Sequence, residues 1–517
     1  MRRAHRSLLV ALAGATLVRC GAGGGEVVAH LGPRRGPPRP VPSSAAVPRY
    51  DWVGVVGTGQ SLSVGASGRP VLSTTQPFHN LKLRDDGPTP GHPLDETGAF
   101  SLVPLVEPIR PFWERGDTQY PNDIFGETPH SAMANQLSML APSDYVTLHS
   151  VVGWGGRCMT DIDKTGAGLA YPSSLWEART FRQLADAQGK TFAYGAVVLT
   201  HGECDAENPG YEDALYRMWS DYDTDLRAIT GQREMVPLLL SQQNTFPSAG
   251  GLSASTLAEW SAGVRFAGKI VCVGPKYQYA YVGDKVHLDA ASYRRLGEKY
   301  AEVFDQVFRL QRPWAPLQPR AVKRDGRTIT VTFHVPHPPL AWDETLAPPH
   351  QTAWTEWARG RGFEIASARG PVPIAGVAID GDTVVLTLAA SPADAPFTVR
   401  YAMLQDAEVA SGGEAVGRRG QLRDSDPLVG WDAETIACNV EEGSAVVTAT
   451  EPGGFARRTL RDVARGAGLS QDTIVVDRPG EAQLMLSAPW TGPTGVATVA
   501  FHYDQRNYAV AFQIPVP

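Results

Sequence analysis

Between residues 52 and 310, short runs of β-branched and apolar residues alternate with longer segments of helical period, and this rhythm restricts the fold more than any other feature. Runs at 52–56, 145–152, 192–199, 235–240 and 270–273 read as strands. Each of the last four follows a segment of helical character, at 131–141, 175–188, 211–230 and 254–267, with Gly189 and Gly231 as stops for the second and third. A final helix at 290–310 places Tyr293, Leu296, Tyr300, Val303, Phe304, Val307 and Phe308 on one face. Strand–helix alternation with mostly continuous apolar strands predicts a parallel sheet covered on both sides, hence an α/β unit. The stretch 71–127, rich in Pro, Gly and Asp, interrupts the rhythm and reads as surface loops over the sheet.

The pattern changes after the Pro-rich stretch 312–319. "RTITVTFHVP", "DTVVLTLAA", "FTVRYA", "SAVVTAT", "ATVAFHY" and "YAVAFQIPV" alternate apolar with polar residues between Gly, Asp and Pro turns, as expected of an antiparallel β-sandwich at 320–517. A helical-looking piece at 458–468 lies among these strands, so about 431–500 reads either as a third small domain or as an insertion. The α/β unit is expected at 51–312 and, with 313–319 as its boundary, to fold on its own.

The N-terminus carries Arg2, Arg3 and Arg6, followed by an apolar core at 8–18 too short for an ordinary membrane helix. Residues 1–20 read as an export signal, predicting a protein of the bacterial cell envelope or the exterior. The run 17–21 resembles a lipoprotein cleavage site with Cys20 as the lipidated residue, which would give membrane attachment, although Arg19 stands where such sites carry a small residue. Residues 21–50, rich in Gly and Pro, read as a tether. The remaining cysteines, Cys158, Cys204, Cys272 and Cys438, form no CxxC pair, and their spacing does not select a pairing. A net charge of −7 without a basic block beyond the N-terminus argues against nucleic acid as a partner.

Three motifs fall at the carboxyl ends of the first three strands: "GTGQSLSVG" at 57–65, "GWGGRC" at 153–158 and "HGECD" at 201–205. Loops at that edge of an open α/β sheet converge on one crevice. A fourth motif, "GDKVHL" at 283–288, precedes the final helix. A serine hydroxyl needs an imidazole to take its proton and a carboxylate to orient that imidazole; Ser61, His287 and Asp284 supply these parts. Glycine amides suit a developing oxyanion because no side chain blocks close approach. The same residues also admit structural readings: Ser61 in a glycine-rich turn, Asp284 and His287 as a helix-capping cluster, and Gly153, Gly155, Gly156 and Gly202 in tight turns. Trp154 could stack on a sugar or sit in the core. His201, Cys204 and Asp205 have some zinc character, but no second ligand pair at zinc spacing accompanies them.

The four blocks resemble those of the SGNH (GDSL-like) hydrolases, most closely the carbohydrate-esterase branch that includes sialate O-acetylesterase-like proteins. The resemblance implies a flavodoxin-like three-layer αβα fold over about 51–310, with Ser61 rather than Ser63 as nucleophile, His287 as base and Asp284 as its partner. It implies an oxyanion contact from Gly156, with Gln60, Gly202, Glu203, Cys204 and His201 as further oxyanion or substrate contacts. Members with GxND use Asn as a third oxyanion donor; Cys204 stands there, a weak donor, leaving His201 as the nearest polar replacement. The implied activity is a serine carbohydrate acetylesterase acting on an acylated polysaccharide or glycoconjugate, without cofactor or metal. Two alternatives remain: a glycan-binding protein on the same scaffold without catalysis, and a lipase-like acyl hydrolase.

Overall fold

The computed structural model describes residues 49–84, 100–111, 124–245, 251–390, 396–404, 418–455, 462–470 and 473–516, together with a two-residue strand, Ala29–His30. The export signal and Cys20 lie outside these residues.

A seven-stranded sheet forms the first layer system. Its strands are β1 (Trp52–Gly59), β2 (Leu81–Leu83), β3 (Leu102–Pro104), β4 (Val146–Val151), β5 (Phe192–Thr200), β6 (Leu238–Gln242) and β7 (Ile270–Pro275), in the order β3-β2-β4-β1-β5-β6-β7. All neighbours are parallel except β2 and β3. The five longer strands thus run 2-1-3-4-5, and the switch of direction falls where β4 and β5 flank β1. The stretch 71–127 is therefore not only loop: β2 and β3 extend the sheet beyond β4, and at three residues each they are too short to show a period.

Helices cover both faces. Helices α1 (Pro129–Leu140) and α5 (Ala290–Phe304) bring Met133, Leu137, Leu296 and Phe304 onto Val53, Val55, Val198 and Leu239. Helices α2 (Ala170–Ala187), α3 (Tyr211–Thr230) and α4 (Ala254–Arg265) pack Phe181, Leu226 and Trp260 on the opposite face with Val56, Val197, Leu238 and Leu240. Helix α2 starts earlier than its periodicity suggests because Pro172 lies in the first turn, where no N–H partner is lost. Strand β6 begins at Leu238, not at residue 235, because Pro237 has no N–H to give a ladder, and α5 gives way to a π-helical turn at Asp305–Arg309.

Beyond residue 317 the chain is antiparallel. A five-stranded sheet of Ala29–His30, Gln318–Asp325, Thr328–His334, Ile374–Asp380 and Thr383–Leu388 shares one core with a four-stranded sheet that includes Phe363–Ser367, Phe397–Tyr401 and Phe512–Val516. Two residues of the expected tether thus pair with the strand Gln318–Asp325 instead of standing apart from the fold. Between Phe397–Tyr401 and Phe512–Val516 the chain builds a separate six-stranded sheet, spanning Val429–Val440 to Gly495–Asp504, around its own apolar cluster of Val447, Leu484, Val499 and Phe501. Within the helical-looking piece at 458–468, Val463–Arg465 is a strand of this sheet, paired with Gly495–Asp504; residues 456–461 lie outside the described residues.

The Pro-rich stretch 313–319 does not end the core. One apolar cluster runs from Phe181, Tyr222 and Trp260 into Leu317, Phe333, Phe363 and Phe512. Polar contacts cross as well: the Gln242 amide donates to the Ala511 carbonyl at 2.7 Å, and Tyr277 donates to the Ala509 carbonyl at 2.6 Å.

Candidate active site

Strand β1 ends in Gly59, whose φ of +133° and position beside β5 exclude a side chain: a Cβ would lie 2.2 Å from the Thr200 carbonyl oxygen. The chain then makes one 3₁₀ turn, Ser61–Val64. Ser63 is buried and its hydroxyl donates to the Gln60 carbonyl at 2.7 Å, within the turn. Ser61, half-buried, faces the other way. Its Oγ lies 2.8 Å from His287 Nε2, and His287 Nδ1 lies 2.7 Å from Asp284 Oδ2.

A carboxylate only accepts, so the Nδ1–H of His287 donates to Asp284 and the Nε2 lone pair faces the Ser61 hydroxyl. The other Asp284 oxygen accepts from the backbone N–H groups of Val286 and His287, each at 2.9 Å. Burial works against the charge of Asp284, but the His287 amide, the His287 ring and the Val286 amide outweigh it and hold this carboxyl below the usual carboxylate range. The fourth motif thus forms a closed turn just ahead of α5, and the two ends of the α/β unit, 226 residues apart, meet at one hydroxyl.

Gly156 sits in a turn with φ of +68°, exposed, one residue before the exposed Arg157. The Arg157 guanidinium lies over the Trp154 ring at 4.3 Å, and that ring packs partly into the core. The indole face on that side is therefore covered by Arg157.

The remaining predicted contacts are placed differently. Cys204 is bonded to Cys158 through a disulfide, so it has no S–H to give to an oxyanion and no thiolate for zinc. Its backbone N–H donates to Gln60 Oε1 at 3.3 Å, so the Gln60 side chain serves as a link between loops. His201 is fully buried with both ring nitrogens engaged. Nε2–H donates to the Arg157 carbonyl at 2.9 Å, so Nδ1 accepts from the Tyr211 hydroxyl at 2.8 Å, and no donor remains for an oxyanion. Burial holds the His201 pKa below its usual value, consistent with a neutral ring. Glu203 forms a buried ion pair with Lys276 at 2.8 Å and does not reach out to a substrate. Burial opposes its charge, yet Lys276 more than offsets this and its pKa is lowered. Gly202 accepts from the Ser255 hydroxyl at 2.7 Å through its carbonyl, in a backbone with φ of +120°.

Sequence reasoning missed the role of Lys276, Asp205 and Tyr211 behind the loops. Asp205 accepts from the Met159 amide at 2.7 Å and from Asn208 at 2.7 Å. Its place in the third motif was the available signal.

Among solved structures, the chain is similar to a carbohydrate acetylesterase from Xanthomonas citri at 16% identity, over 68% of this chain and 75% of that one, with a TM-score of 0.44. It is also similar to a protein from Arabidopsis thaliana, at 15% identity over 50% of this chain and 100% of that one, TM-score 0.36. The third similarity is to NanS, at 13% identity over 51% of this chain and 100% of that one, TM-score 0.36. No protein-family model matches the sequence, and no curated protein matches it.

Proposed function

We propose that this chain is an exported serine esterase of the SGNH-like carbohydrate-esterase kind, removing O-acetyl groups from a polysaccharide or glycoconjugate through an acyl-enzyme on Ser61. The observation that carries this reading is the unbroken hydrogen-bonded line from the Ser61 hydroxyl through both nitrogens of His287 to Asp284, at the carboxyl edge where β4 and β5 flank β1.

In this reading, His287 Nε2 takes the Ser61 proton as Oγ attacks the ester carbonyl, and Asp284 stabilises the imidazolium that results. The oxyanion of the tetrahedral intermediate meets the backbone N–H groups of Ser61 and Gly156. His287 then gives its proton to the departing sugar hydroxyl, and water attacks the acyl-enzyme by the same route in reverse. Residues 51–312 form the hydrolase unit, residues 1–20 direct export, and Cys20 is the point of lipid attachment.

A fluorophosphonate probe tests this directly. Wild-type protein is expected to be labelled on Ser61; Ser61→Ala removes the label and lowers kcat/KM on an acetyl ester by about 10³-fold or more, with an unchanged melting temperature. Ser63→Ala keeps the label and loses only the turn hydrogen bond, about 1 kcal/mol of stability. Folded wild-type protein that takes no label, or a label lost in Ser63→Ala and kept in Ser61→Ala, overturns the reading.

A further inference from the structure

We infer that residues 201–205 serve to hold the Gly156 turn at a fixed distance from Ser61, with the Cys158–Cys204 bridge as the decisive fastening. This rests on the esterase reading above and names positioning residues for it.

The tip of the turn is exposed: a Cβ built at Gly156 meets nothing within 4 Å among the described residues. Packing holds the flanks, where Trp154 and Met159 meet the core, but leaves the tip at Gly156 open. A backbone N–H that stabilises an oxyanion is useful only if it stays within about 0.5 Å of its working place. Four fastenings surround the turn. Upstream, the Trp154 amide donates to the Gly59 carbonyl at 2.9 Å. Downstream, Arg157 receives the His201 Nε2–H at 2.9 Å, Cys158 is bonded to Cys204, and Met159 donates to Asp205 at 2.7 Å. Three consecutive residues of the turn's downstream arm are thus gripped by three residues of one short segment.

That segment is itself immobilised. Glu203 is paired with the fully buried Lys276, and Asp205 holds Asn208. The Cys204 amide binds the side chain of Gln60, the residue before Ser61. The nucleophile and the turn are therefore both referenced to 201–205, which sets the spacing between the two amides that would receive the oxyanion. The hydrogen bonds of the grip can lengthen or break as the exposed tip moves; the covalent bridge cannot. Here the third motif does not supply a third donor, and it restrains one of the two that remain.

The test compares three states of the full chain: oxidised wild type, wild type reduced with dithiothreitol, and Cys158→Ser/Cys204→Ser. Reduction passes two electrons and two protons to the bridge, giving two thiols while dithiothreitol closes to its own disulfide; mass spectrometry of alkylated protein verifies the state. The expected result is a fall in kcat on an acetyl ester of about 10-fold to 100-fold in both bridge-free forms, with KM within twofold and near-UV circular dichroism retained. Reoxidation of the reduced wild type restores kcat. An unchanged kcat without the bridge, a change confined to KM, or loss of the folded spectrum in both bridge-free forms overturns the inference. Failure of the esterase reading looks different: oxidised wild type then takes no fluorophosphonate on Ser61.

Discussion

The seven-stranded sheet and the six-stranded sheet bury comparable apolar side chains but differ in how many of their faces are covered. Every residue of β1, β5, β6 and β7 is buried, because helices lie on both sides. Strands of the six-stranded sheet alternate instead: Leu484 and Leu486 are buried while Gln483 and Met485 are exposed. A sheet covered on both faces has only its strand ends open, so polar chemistry gathers there, where Ser61, His287 and Asp284 meet. A sheet covered on one face spreads its polar residues over a broad surface with no point of convergence. The difference explains why all the candidate machinery lies in one region, although both are well packed.

The largest expected effect comes from asking whether the doubly covered sheet is self-sufficient. Deleting 313–517 uncovers Trp260, strips the buried Gln242 amide of its partner at residue 511 and removes Asp504 from the buried Arg295. Residues 50–312 expressed alone are expected to be insoluble or to lack a cooperative melting transition; a soluble fragment with near-UV dichroism and a sharp transition would make the two regions independent. The next effect is local to the singly covered sheet. Phe501 is fully buried against Phe455 at 5.5 Å, and Phe501→Ala should cost about 3–5 kcal/mol. Calorimetry should report this while kcat on an acetyl ester stays within twofold; an equal loss of activity would tie that sheet to the site. The smallest effect concerns the edge itself. The loop that follows β4, at the same sheet edge as Ser61, exposes Gly156 and Arg157 rather than an apolar wall, so the six additional methylenes of an octanoyl ester, worth about 0.8 kcal/mol each when buried, gain little. Acetyl esters should exceed octanoyl esters by at least about tenfold in kcat/KM, and a preference for octanoate would reveal an apolar trough at the edge.

The sequence exposed whatever depended on local pattern. Strands β1, β4 and β5 are apolar runs closed by glycine motifs, and Asp284 and His287 lie three apart on one turn, so their partnership was visible. The choice of Ser61 over Ser63 rested on the motif resemblance, and the geometry has a simple cause: within one 3₁₀ turn, the third residue bonds back to Gln60 and the first does not. Contacts between loops were illegible. Cys158 and Cys204 are 46 residues apart, and only the adjacency of β4, β1 and β5 brings their loops together. The buried pair Glu203 and Lys276, and the engagement of both His201 nitrogens, depend on the same convergence. The described part of the helical-looking piece, 462–468, shows the opposite limit, since a helical period there lost to pairing of Val463–Arg465 with the strand Gly495–Asp504.

The Gln242 side chain has a consequence for the order in which this protein is made. It ends β6, yet both of its polar atoms bind the backbone of Ala511, 269 positions further along the chain. During synthesis, β6 leaves the ribosome long before Ala511, so the Gln242 amide has the Thr256 carbonyl but lacks its second acceptor, and its oxygen lacks the Ala511 N–H, until the sandwich strands and then the six-stranded sheet have been polymerised. Only when Phe512–Val516 pairs with Phe397–Tyr401 does Ala511 reach its place. The α/β layer therefore completes this contact only with a late segment, and a ribosome stalled within the six-stranded sheet would hold a chain that carries Ser61, Asp284 and His287 but not yet Ala511.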